Sequence, residues 1–137
     1  MKVALLHFCF FEYTVQLANG LAAANVDLTL IHPQNLTNEI EALLDPRIKV
    51  ITFNKYRIRD PRNLSAMGEL MRVIRKIQPD VLHVQETNDP WYDLTLFINK
   101  MPALVTTIHD VFRHPGDKDN VFGSEYTRRI AFWRSQQ

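Results

Sequence analysis

The chain has 137 residues, enough for one domain and too few for two ordinary ones. Its 46% hydrophobic and 23% charged content is that of a globular protein, and Lys+Arg 16 against Asp+Glu 15 leaves a formal charge of +1, without the basic field that a nucleic-acid binder uses. The single cysteine, Cys9, excludes an internal disulfide and a Cys-rich zinc site, which fits a reducing compartment.

The apolar run Val3 to Phe11, followed by Ala22-Ala23-Ala24, superficially copies a secretory signal. His7 interrupts the run, and Glu12 and Gln16 separate it from the small residues, so the copy fails. No stretch approaches the ~20 apolar residues that cross a bilayer. A cytoplasmic location is expected, with peripheral contact to a membrane left open.

Val3 to His7, apolar on both alternating faces, reads as a strand buried between two helical layers. From Glu12 to Ala24 the period changes to a helix with Val15, Ala18, Leu21 and Ala22 on one face, and Gly20 within it predicts a close approach of helix to sheet. Asp27 to Ile31 is a second strand stopped by Pro33. Asn35 to Leu44 reads as a short helix ended by Asp45-Pro46. Ile48 to Phe53 is a third strand.

The segment Asn54 to Arg62 carries Lys55, Arg57, Arg59 and Arg62 around Tyr56 and reads as a solvated loop in preference to a phosphate-binding patch. Leu64 to Ile77 is the clearest helix, with Leu64, Met67, Leu70, Met71, Ile74 and Ile77 in one stripe. Pro79-Asp80 opens a fourth strand, Val81 to Val84. Asp89-Pro90 starts a helix running to about Lys100, with a capping carboxylate followed by proline at the first helical position. Ala103 to Ile108 is the fifth strand, and Ser124 caps a last helix with Tyr126, Ile130 and Trp133 on one face.

Strict alternation of strand and helix predicts an α/β fold: an open, Rossmann-like parallel sheet with helices on both faces, in the order 3-2-1-4-5. Ligands in such sheets bind beyond the carboxyl ends of the strands. His7, His32, His83 and His109 all fall at or near strand ends, four of the 5 histidines. A lone histidine there is usually an ordinary buried imidazole. His109-Asp110 stands out, because a neighbouring carboxylate fixes an imidazole's tautomer and raises its basicity.

Other signatures are missing. The first turn, His7-Phe8-Cys9-Phe10-Phe11-Glu12, has no glycine, so it forms neither a dinucleotide fingerprint nor a P-loop. No G-x-S-x-G elbow occurs. His83, Glu86, His109 and Asp110 make only a weak case for a metal-dependent hydrolase, and neither a metal nor a cofactor is expected.

Pro79-Asp80-Val81-Leu82-His83-Val84-Gln85, with Pro102-Ala103-Leu104-Val105-Thr106-Thr107-Ile108-His109-Asp110, resembles the fourth and fifth strands of the N-terminal domain of retaining GT-B glycosyltransferases, glycosyltransferase group 1 or family 4. Glu12 to Leu21 and Val26 to Ile31 are similar to that family's first helix and second strand. The resemblance covers nearly the whole chain.

It implies a two-domain enzyme in which the C-terminal domain holds a nucleotide-sugar donor and the N-terminal domain holds a sugar or glycan acceptor. His109 maps onto the family's histidine against the transferred sugar, with Asp110 beside it. Phe10, Phe11 and Glu12 then shape the acceptor mouth, and His83, Gln85 and Glu86 line the adjacent crevice. A glycine pair usually precedes the position of Glu12, where this chain has Phe10-Phe11. The second domain's paired glutamates occur nowhere in the sequence.

Transfer of this kind needs a cleft closed by two domains, and 137 residues supply one wall. The chain is therefore expected to be the acceptor-side part of a longer enzyme and inactive alone. The alternative is a non-enzymatic ligand-binding or interaction domain that keeps the sheet. Strand 5 at the sheet edge and the apolar face of the last helix predict self-association.

Overall fold

A computed structural model describes residues 1–8, 10–34, 40–87, 89–98, 100–109, 129 and 133. Its elements in chain order are β1 (Lys2–Leu6), α1 (Phe11–Ala23), β2 (Asp27–Pro33), β3 (Lys49–Phe53), α2 (Asn63–Ile77), β4 (Val81–Gln85), α3 (Pro90–Ile98) and β5 (Ala103–Thr107). The strands form one five-stranded sheet, β3-β2-β1-β4-β5, with every pair parallel. The predicted α/β class and strand order both hold.

β1 is central: Val3 lies opposite Leu28 of β2 and Val81 of β4. The pleat sends its alternate residues to two cores. Val3 and Leu5 join Ala18 and Ala22 of α1 with Leu28, Leu30, Ile40 and Ile48. Ala4, Leu6 and Phe8 join Leu70, Met71 and Ile74 of α2, and Tyr92 and Leu96 of α3. A strand covered by helices on both sides has to be apolar at every position, which is why the start of the sequence looks like a signal segment. The backbone N–H of Lys2 donates to Asp80 Oδ2 at 2.7 Å, and Asp80 N–H returns a bond to Lys2 O at 2.9 Å, which fixes the register of β1 on β4.

Two expectations about helix faces are corrected. Gly20 is exposed and a Cβ there would meet nothing within 4 Å, so it does not mediate close packing. Leu64 is 61% exposed, and the buried face of α2 is formed instead by Asn63, Ala66, Leu70, Met71 and Ile74. The helix starts one residue earlier than predicted because Asn63 turns inward to tie the preceding loop: its Oδ1 accepts from Tyr56 N–H at 3.3 Å and its Nδ2 donates to Arg57 O at 2.9 Å. Residues 35–39 of the helix predicted over 35–44, and all but isolated positions of the last helix, lie outside the described residues.

The 54–62 loop satisfies much of its own charge. Arg62 pairs with Asp60 at 2.7 Å and covers the Tyr56 ring at 4.4 Å. Lys55 sits 5.2 Å from the Phe8 ring centroid and 3.9 Å from Asp89.

Candidate functional site

The carboxyl ends of β1, β4 and β5 meet the first turn of α1. Thr14, on that turn, is fully buried, and its hydroxyl lies 2.7 Å from His7 Nδ1, 3.0 Å from Gln85 Oε1 and 3.0 Å from Phe10 O. The amide and carbonyl oxygens only accept, and the single hydroxyl proton serves one acceptor at a time. His7 Nδ1 and Thr14 Oγ1 share a hydrogen bond whose direction is set by the imidazole tautomer. One threonine thus joins the end of β1, the end of β4 and the turn between β1 and α1. The Nε2 of Gln85 is buried and has no hydrogen-bond partner among the described residues.

Phe10 is the residue before α1. It adopts the left-handed conformation, φ 64° and ψ 55°, and offers no side-chain cap. That conformation costs a residue with a Cβ about 1–2 kcal/mol. Its carbonyl accepts from the amide of Thr14 at 3.0 Å and lies 3.0 Å from the hydroxyl of the same residue. Its ring stacks on the His109 imidazole, with centroids 3.7 Å apart and planes 23° from parallel, and aromatic pairs contribute roughly 0.5–1.5 kcal/mol beyond burial. Tyr13 meets the same imidazole edge-on, at 4.8 Å and 89°. The His109 Nε2 atom is shielded from solvent and has no partner among the described residues.

His83 stands further back, opposite Leu5 and Val105, with its Nε2 2.7 Å from Thr107 Oγ1. Burial without a compensating charge moves its pKa below the ordinary histidine value. His32 is fully buried, and its Nδ1 donates to Pro33 O at 2.9 Å.

Of the residues singled out in the sequence, Phe10, Gln85 and His109 come together around Thr14 and Tyr13. Glu12 is exposed on the first turn of α1, where its charge complements the helix dipole. Phe11 packs against the core on the α1 side, and Glu86 is buried just beyond β4. Asp110 lies outside the described residues. Tyr13 and Thr14 were not singled out, although their spacing of three and four from Phe10 would have placed them on its face of the helix. Among the described residues no three His, Cys, Asp or Glu side chains converge as a metal site, and no helix is long and apolar enough to cross a membrane.

Residues 2–137 match the glycosyl transferase 4-like family. The chain belongs to that family. No curated protein matches it. In this glycosyl transferase 4-like domain, the histidine following β5 is held against the turn between β1 and α1. Membership of the family implies, in general terms, a sugar donor and a sugar acceptor.

Proposed function

We propose that this domain is the acceptor-side wall of a two-domain, GT-B-type glycosyltransferase, with His109 facing the sugar that is transferred from a nucleotide-sugar donor. The observation that carries the reading is His109 itself: an imidazole clamped between two aromatic rings at the carboxyl edge of a glycosyl transferase 4-like sheet. His109 follows β5, at the carboxyl edge where open parallel sheets bind their ligands.

In the reaction, the bond from the anomeric carbon to the donor phosphate breaks with its electron pair leaving on the nucleoside diphosphate, a bond to an acceptor oxygen forms, and the acceptor hydroxyl's proton passes to the departing phosphate or to solvent. His109, with its neighbour in sequence Asp110, faces the reacting sugar, and the imidazole holds a hydroxyl of that sugar in register. Glu12 and the exposed edge of Phe10 bound the acceptor side, with Phe11, His83, Gln85 and Glu86 forming the ground behind it. A second domain supplies the donor site and the closure that excludes water. Positioning and desolvation in the closed cleft contribute to catalysis.

The test is His109→Ala in the intact enzyme, assayed by nucleoside diphosphate release from a panel of nucleotide sugars. Turnover should fall on the order of 10²-fold with the fold retained. Unchanged turnover at saturating substrates removes His109 from the reaction. Absence of transfer by the unaltered full-length protein, together with specific glycan binding, favours the non-enzymatic reading. The isolated chain should itself bind nucleotide sugars weakly, and it should self-associate through the edge of β5 or its last helix.

A further inference from the structure

We infer that Phe10 is a positioning residue for His109, and that the left-handed turn in which it sits serves to deliver its ring to the imidazole. This rests on the proposed role of His109 and goes beyond it, because it moves Phe10 from the acceptor mouth to the support of the reacting group.

The backbone before α1 adopts φ 64°, a conformation glycine takes without penalty, yet the residue is phenylalanine. A strained position occupied by a large side chain requires a compensating interaction. The interaction present is the stack on His109 at 3.7 Å. A histidine side chain has two torsions to fix. Phe10 covers a face of the imidazole and so restricts the rotation of the ring plane. Tyr13, edge-on at 4.8 Å, blocks the sideways swing of the whole ring. Nε2 is then held in one place. Thr14 secures the turn, through its amide bond to Phe10 O, to the same buried network that contains His7 and Gln85. The support of His109 is therefore anchored in the sheet and does not depend on the loop alone.

Phe10→Gly separates this role from a structural one. Glycine accepts the turn, so the melting midpoint should stay the same or rise, whereas the His109 imidazole should lose its ring-current shift. In the full chain, the His109 ring signals, assigned with His109→Gln, should lie upfield in the unaltered protein and move toward free-imidazole positions in Phe10→Gly and Phe10→Leu. In the intact enzyme, Phe10→Gly should lower kcat by about tenfold or more with a much smaller change in KM. Phe10→Tyr, which keeps a ring, should recover most of that loss and restore the upfield signals.

Unmoved His109 signals in Phe10→Gly would overturn the inference. So would a kcat loss no greater in Phe10→Gly than in Phe10→Tyr. If His109→Ala leaves turnover intact, the proposed function falls while the stack itself stands. If His109→Ala abolishes turnover and Phe10→Gly does not, the inference alone falls.

Discussion

The two faces of the sheet carry the same strands and do opposite things with them. On the side of α2 and α3, the end of β1 contributes Leu6 and Phe8 to an apolar cluster, and Phe8, Phe53 and Tyr92 pack with centroids 4.8 to 5.6 Å apart. On the side of α1, the intervening residue His7 enters a buried polar network with Thr14 and Gln85. A single step along the strand therefore separates the part of the domain that stabilises it from the part that supports its site. The pleat, with its period of two, makes that division without any additional element.

The largest effect should come from the apolar side. Tyr92→Ala removes a fully buried ring from the Phe8–Phe53 cluster, and loss of stability of about 3–5 kcal/mol is expected in urea unfolding. Next comes Thr14→Val, which keeps the shape but leaves His7 and Gln85 without their common partner. A loss of about 1–3 kcal/mol is expected, largely recovered by Thr14→Ser. If Thr14→Val proved neutral, the polar side would contribute nothing to folding and the contrast between the faces would be complete.

His83 sharpens the comparison through pH. Burial lowers its pKa in the folded state below the ordinary value of 6.5, so the unfolded chain takes up the proton first as pH falls. Its contribution to stability is present above that value and declines as pH drops through it toward the lower folded pKa. Urea midpoints measured between pH 7.5 and pH 5, the approximate range in which histidine titrates, should fall less steeply for His83→Gln than for the unaltered chain. The smallest effect concerns association. Val105, on the α1 side of β5, is 47% exposed at the edge of the described sheet. Val105→Lys should weaken concentration-dependent self-association in sedimentation with little change in stability. Identical sedimentation of the two chains would show that this edge is not the contact.

The elements most legible in the sequence were those whose burial is periodic. β1 is nearly uninterrupted in apolar character, β2 and β4 are short β-forming runs bounded by turn residues, α2 has a regular stripe, and alternation of the elements dictated the parallel order. The failures occurred where a local rule met a tertiary demand. Leu64 fits the stripe of α2 but is displaced from it because Asn63 is needed inside to bind the loop. Gly20 reads as a packing glycine because glycine inside a helix suggests close approach, yet it lies two residues from both Ala18 and Ala22, off the face that meets the sheet. His109 was legible as a strand-end histidine beside an acid. Its clamp was not, because Phe10 in the sequence is simply an apolar residue, and only its positive φ turns the ring toward a residue 99 positions away. Tyr13 and Thr14 were hidden by their ordinariness on an amphipathic helix.

The order of the strands also governs how the domain must assemble. Because every strand pair is parallel, none can form as a local hairpin, and β1 acquires its second neighbour only from a segment 78 residues further along. Contacts so distant in sequence are slow to form, since the intervening chain must be ordered before they return any free energy. Gln85 arrives with that last neighbour. The polar network around Thr14 is consequently completed late in folding, and a chain halted before β4 would hold His7 and the α1 turn without the strand that joins them to the His109 side of the sheet.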